Sequence, residues 1–273
     1  MPLPALLTAI GLYAGVALAG LGAGVVVNAL ANRVQLEEAS ATGHEQSMAG
    51  SAKNAHAGEA DGPEVADVLP TSRDWRKRSR SIRHWATPLA LGAIFPLLLA
   101  HLVASASATP VQSDTTGALP LWAVFALQAI SVAALMGIFI VDLEHRLILD
   151  VVVFPLGGGL LAVALLFARP ALLALLVGMA LAGGLFLVFY GLGYLLYRQE
   201  AMGFGDVKLA AVIGLLGGWP AITTALLATA VIGAIVSLLL LGFGAVGRRT
   251  FIPFGIFLVL GAICALLTAQ PVW

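Results

Sequence analysis

Asp142 and Asp206 are the residues whose setting in this sequence points to chemistry. Asp142 directly follows the apolar run Gly137-Ile138-Phe139-Ile140-Val141, so its carboxylate is partly desolvated. Asp206 lies in Gly203-Phe204-Gly205-Asp206-Val207-Lys208-Leu209, where two glycines within three residues favour an unwound backbone that a substrate chain can approach closely. Two carboxylates facing one cavity cannot both ionise easily, so one proton becomes shared. The ionised member can then activate water while the protonated one donates to a carbonyl oxygen, which is the chemistry of an aspartic protease. The plainer reading is that both are interfacial acids, balanced by Arg146 and Lys208, that help to end helices. Glu144 and Asp150 read as supporting rather than catalytic groups, since a solvated turn holds them without strain.

The elements that must position these acids are membrane helices. Of the 273 residues, 60% are hydrophobic and 10% charged, with a mean hydropathy of +1.00, against roughly 25% charged in a soluble domain. A span needs about 20 apolar residues. Eight runs are candidates, near 4–30, 88–106, 119–141, 151–168, 171–197, 207–218, 221–246 and 251–269, of which the sixth is short. The expected fold is all-α: a polytopic membrane protein with about eight transmembrane helices and one long cytoplasmic loop. Residues 1–30 form its first helix, 31–87 the loop and 88–273 a membrane domain of about seven helices. The first run is too long for a signal-peptide core and has no basic residue before it, so it reads as a retained span. With the N-terminus outside, all 14 Lys and Arg residues except Arg169 fall on the inner side, as the positive-inside bias requires. That topology puts Asp142 and Asp206 on the same, inner face.

The loop is rich in Ala, Gly, Ser, His and Glu, shows no apolar periodicity and reads as flexible. Its end, Asp74-Trp75-Arg76-Lys77-Arg78-Ser79-Arg80-Ser81-Ile82-Arg83-His84-Trp85, suits a membrane boundary, with arginines at anionic headgroups. Zero formal net charge gives no reason to expect a nucleic-acid partner. The single cysteine, Cys264, excludes an internal disulfide and a cysteine metal site. His101, inside the second span, is expected as a hydrogen-bonded neutral histidine, and Gly20, Gly22, Gly24 and Gly157 to Gly159 as close helix-packing sites. The five tryptophans, at 75, 85, 122, 219 and 273, read as an aromatic belt.

The segments Val141-Asp142-Leu143-Glu144-His145-Arg146-Leu147-Ile148-Leu149-Asp150 and Gly203-Phe204-Gly205-Asp206-Val207-Lys208-Leu209 resemble the two signature segments of the bacterial type IV prepilin peptidases, membrane aspartic proteases of the Gly-x-Gly-Asp type. Gly24-Val25-Val26-Val27-Asn28 with Arg33, and Ile252-Pro253-Phe254-Gly255, are similar to further family segments. The resemblance implies that Asp142 and Asp206 are the catalytic pair and 88–273 the peptidase domain. Gly203, Gly205, Lys208, Glu144 and Asp150 then support the pair or bind substrate: Lys208 by biasing the charge of Asp206, Glu144 by meeting a basic leader. It implies prepilin or pseudopilin substrates, cut just before their hydrophobic helix, and an inner-membrane enzyme working with pilus or type II secretion machinery, its active site cytoplasmic. Peptidase activity needs no cofactor, whereas the N-methylation that many members add uses S-adenosylmethionine. Leu149 and Ile256 stand where many members have proline, and the loop lacks the two zinc-binding Cys-x-x-Cys pairs; His44, His56 and His84 are too scattered to replace them, so no metal is expected. The rival reading is a transporter or channel built on the same acids, which inverted repeats with matching broken spans would favour. No such pair is visible, and the acids lie at one face rather than at the midplane. An inactive scaffold has no support, since both aspartates are present.

Overall fold

The structure, a computed structural model, describes residues 9–33, 73–108, 119–145, 148–197, 202–243, 254–270 and 272–273; the side chains of 73–84, 108, 145 and 197 are not described. Among these residues all regular structure is helical. The helices are α1 (Ala9–Arg33), α2 (Arg73–Ala108), α3 (Leu121–His145), α4 (Asp150–Phe167), α5 (Leu172–Tyr197), α6 (Phe204–Gly217), α7 (Ala221–Gly242) and α8 (Gly255–Thr268). Hydrocarbon offers backbone groups no partners, so apolar runs of this length close their hydrogen bonds internally as helices.

Six of the helices, α1 to α5 and α7, are long and apolar enough to cross a membrane. The chain is thus an all-α, multi-pass membrane protein, and among the described residues a helix stands at each of the eight expected runs, though not every one is of span length. The difference lies in α6 and α8, each of 14 residues and therefore about 21 Å long, against a hydrocarbon core of about 30 Å. Both are buried by other helices, with Leu209, Leu215 and Leu216 of α6 and Leu258, Val259 and Ala262 of α8 sealed from the surface. They fill the bundle. A second difference is at α2, which starts at Arg73, inside the segment expected as loop, so the basic and aromatic stretch continues the span as one helix. The rest of that loop with His44 and His56, the turn holding Asp114, and Arg146, Glu200, Ile252 and Pro253 lie outside the described residues.

Packing in the bundle is strongest between α5 and α6 and next between α7 and α8. Glycine makes both pairings close. A Cβ at Gly178 of α5 would strike the Gly214 carbonyl and lie 2.7 Å from the Gly218 Cα, and one at Gly214 would strike the Gly178 carbonyl in return. A Cβ at Gly261 of α8 would collide with Thr229 of α7. Lipid tails are as apolar as leucine, so such backbone approach, rather than apolar burial alone, holds spans together. The same device docks α1 on α2, where Gly20 meets Leu91 and Gly24 meets Pro88. The α6–α7 turn is anchored to α5 by the Trp219 N–H donating to the Ala174 carbonyl at 2.8 Å. Gly218, just past α6, has φ +64°, a conformation that a Cβ would strain.

Candidate functional site

Three helix ends converge on the two aspartates. α3 runs to His145 and carries Asp142 in its last turn, only 4% exposed. α6 starts after Gly203, an extended N-cap residue with no side-chain cap, and carries Asp206 in its first turn, 8% exposed. The third element is α8, whose first residue, Gly255, lies flat against Asp142. A Cβ there would stand 2.6 Å from Asp142 Oδ2, inside any real contact. Ile148 joins the three, because a Cβ at Gly205 would lie 2.9 Å from its Cβ and one at Gly255 would lie 3.4 Å from its Cδ1.

The electrostatics follow from this burial. Asp206 precedes the apolar run of α6 and belongs to none of the span-length helices. A helix N-terminus favours an ionised carboxylate, yet the Asp206 pKa is pushed up from 3.8 to about 7, first by burial and second by the Asp142 charge. Desolvation and like-charge repulsion therefore outweigh the helix end. The two aspartates are close enough to perturb one another, as a proton-sharing pair must be.

Lys208 is engaged elsewhere. Its ammonium donates to both carboxylate oxygens of Asp150, at 2.9 and 2.8 Å, and lies 5.0 and 5.2 Å from the ring centroids of Phe154 and Phe204. It faces away from Asp206, as a residue two positions along a helix does. The pair instead ties the first turn of α4 to the first turn of α6. Glu144 is half-buried in the last turn of α3. Leu149, before Asp150, has φ −73° and ψ 111°, angles that proline adopts, so leucine there leaves the backbone path unchanged. Ile256 falls in the first turn of α8, where proline and isoleucine fit equally.

Sequence reasoning missed Ile148 as the joint of the site. It also missed the aromatic wall beside it, in which Phe204 packs on Tyr190 and Phe254 on Phe186, each with ring centroids 5.6 Å apart. Nothing in the spacing of those residues marks them. Gly255 was visible only as part of a quoted segment. Among the described residues no three His, Cys, Asp or Glu side chains converge as metal ligands. His101 donates from Nε2 to the Ala269 carbonyl at 2.7 Å, a structural role far along the chain from the aspartates.

Residues 129–238 match the type IV leader peptidase family. That range contains both aspartates. The prepilin leader peptidase/N-methyltransferase of Burkholderia pseudomallei strain 1026b is 35% identical over 191 residues, covering 69% of this chain and 59% of that protein. The protein of the same name from Pseudomonas aeruginosa is 34% identical over 137 residues, 49% of this chain and 46% of its own length. That from Legionella pneumophila is 34% identical over 146 residues, 52% and 49% respectively. The chain thus spans about half to three fifths of these curated relatives. No solved structure matches.

Proposed function

We propose that the protein is a membrane aspartic endopeptidase that removes the leader of type IV prepilins or pseudopilins, with Asp142 and Asp206 as its catalytic pair. The observation that carries the reading is the pair itself: two buried carboxylates brought together by three helix ends, with the Asp206 pKa raised to about 7. Near neutral pH one proton is then shared by the two groups.

In the reaction, ionised Asp142 takes a proton from water, and the oxygen of that water attacks the scissile carbonyl carbon. Protonated Asp206 donates to the carbonyl oxygen, which becomes the hydroxyl of a tetrahedral intermediate. Collapse of the intermediate breaks the C–N bond, and the proton held by Asp142 passes to the leaving amine, while Asp206 recovers its own from the hydroxyl. Gly255 makes room for the Asp142 carboxylate and Gly205 for Ile148, and the Lys208–Asp150 pair sets α4 against α6. Glu144 supplies negative charge for a basic leader.

The charge distribution of the sequence supports an active site on the cytoplasmic face of a bacterial inner membrane, with pilus or type II secretion machinery as the consumer of the product. Hydrolysis needs only water and the acid–base pair. S-adenosylmethionine belongs to the methyl transfer named for the relatives, and the proposed cleavage proceeds without it. The test is cleavage of a prepilin from the same genome by membranes holding wild type, Asp142→Asn or Asp206→Asn at equal expression. Cleavage by wild type alone supports the pair; full activity in either variant removes that residue from the chemistry.

A further inference from the structure

The three helices that converge on the aspartates come together a second time. Gln128 of α3 precedes Asp142 along its helix, while Gly217 of α6 follows Asp206 and Leu266 of α8 follows Gly255, by roughly 16–21 Å along each axis. All three residues line one small cavity at the end of the bundle away from the aspartates, with about 20 Å³ open to the centre of a water-sized sphere. Ala221 of α7 and, beyond α8, Val272 and Trp273 complete its wall.

Gln128 is the one buried polar side chain among the lining residues. It is 2% exposed, and its Oε1 is fully buried with no hydrogen-bond partner. Gln270, which also lines the cavity, is exposed, and the Trp273 N–H is committed to the Leu216 carbonyl at 2.6 Å. An amide oxygen stripped of water and given nothing in return is costly, so the site calls for a donor. The helix ends add further acceptors, because the last four carbonyls of a helix have no N–H within it to accept from. At α6 the Gly214 carbonyl is taken by the Gly218 N–H and that of Leu216 by Trp273. At α8 the Ala265 carbonyl is taken by the Ala269 N–H, and the Ala269 carbonyl by His101. Gly217 and Leu266 lie in the same last turns, and none of the described donors reaches their carbonyls.

The occupant must therefore donate hydrogen bonds and be very small. About 10–15 Å³ of such space admits the centre of one water, and polar cavities of that size are wet where apolar ones stay dry. A lipid tail does not fit. A hard cation takes about six or more oxygen ligands, whereas Gln128 supplies the only buried side-chain oxygen here. Of α6 and α8, α8 is the helix on which α3 packs.

We propose that this cavity binds one water molecule, which donates to Gln128 Oε1 and to the Leu266 carbonyl and so bridges α3 to α8. The bridge ties the far ends of the same two helices whose near ends set Gly255 against Asp142. Nothing in it depends on which reaction the aspartates perform.

The test is a structure of the full chain in lipid nanodiscs at a resolution that shows ordered water. A single peak is expected about 2.7–3.2 Å from both Gln128 Oε1 and the Leu266 carbonyl oxygen. A featureless cavity, elongated lipid density, a peak crowded by short cation-like contacts, or a Gln128 amide bonded directly to protein overturns the proposal. Gln128→Met, close in size, gives an independent sign. If Oε1 is bridged, the variant loses the bridge, strands the Leu266 carbonyl and melts lower by roughly 2–4 °C. An oxygen without a partner would be relieved by methionine instead, so an equal or higher melting temperature overturns the proposal.

Discussion

Glycine does two different jobs in two regions of this molecule. At the crossings of α5 with α6 and α7 with α8, the missing side chain lets two backbones touch, and what a Cβ would strike is a main-chain carbonyl or a residue of the opposite helix. At the aspartate end, Gly255 leaves room for a carboxylate, and what a Cβ would strike is Asp142 Oδ2. The first job stabilises the bundle. The second allows a charge to be buried in a defined place, which costs stability and supplies chemistry. The comparison teaches that closeness of packing does not by itself mark a structural glycine; the atom it makes room for does.

The largest effect expected at the aspartate end comes from the carboxylates. Asp142→Asn or Asp206→Asn should lower cleavage by about 10³-fold or more, with a melting temperature equal to or above wild type, because a buried charge is removed. A clear loss of folded protein in both variants would place the aspartates with the structural glycines instead. Gly255→Ala comes next. It pushes against the Asp142 carboxylate, and a displacement of about 1 Å is enough for roughly a 100-fold loss of rate, measured as kcat with a melting curve alongside. Gly214→Ala should behave in the opposite way: loss of about 1–3 kcal/mol or more of stability, read in the melting temperature, with the surviving protein fully active. If Gly255→Ala lowers the melting temperature as far as Gly214→Ala does, the two regions do not differ.

Much of this was legible in the sequence. Composition and run length give an all-α membrane fold, and the runs give every helix start to within a few residues except that of α2. Eight helices stand at the eight runs, but their lengths were less legible, because an apolar run of 12 to 19 residues reads the same whether lipid or protein surrounds it; α6 and α8 are 14 residues each and buried by their neighbours. Asp142 and Asp206 were legible because a carboxylate beside hydrocarbon is rare. The geometry between them was not, since Ile148 and Gly255 act through tertiary contact and have ordinary local sequence. The glycine readings divide in the same way. Gly20, Gly24 and Gly157 do meet neighbouring helices, whereas Gly22, Gly158 and Gly159 face open space, a difference of one or two helical positions that periodicity alone does not assign.

The pH dependence sharpens the comparison further. Because the folded pKa of Asp206 is raised from 3.8 to about 7, the folded protein binds a proton there that the unfolded chain has lost. Its contribution to stability is thus fully present below about pH 3.8 and is lost as pH rises through about 7. Asp206→Asn carries no such term, so its stability should gain on wild type over that window, and a constant gap from pH 4 to 7 would contradict the burial argument. Wild-type cleavage should fall roughly tenfold per pH unit above about 7 as the shared proton leaves. A matching substitution among the crossing glycines should leave that limb in place.

The smallest effects belong to the polar contacts around the bundle, where the contrast between the regions can be read without touching a glycine. Trp273 Nε1 donates to the Leu216 carbonyl at 2.6 Å, closing one of the carbonyls that the end of α6 leaves without a helical partner. Trp273→Phe should cost about 1 kcal/mol in chemical or thermal unfolding and leave kcat and KM unchanged. Asp150→Asn weakens a pair that is half exposed on the carboxylate side, so its stability cost should be at most about 1 kcal/mol. Its effect should instead be kinetic, since the pair ties the first turn of α4 to the turn that carries Asp206. A severalfold fall in kcat with an unchanged melting temperature is the expected result, restored in part by the charge exchange Asp150→Lys with Lys208→Asp. Equal, purely thermal effects of Trp273→Phe and Asp150→Asn would mean that the bond between α4 and α6 is only another bundle contact.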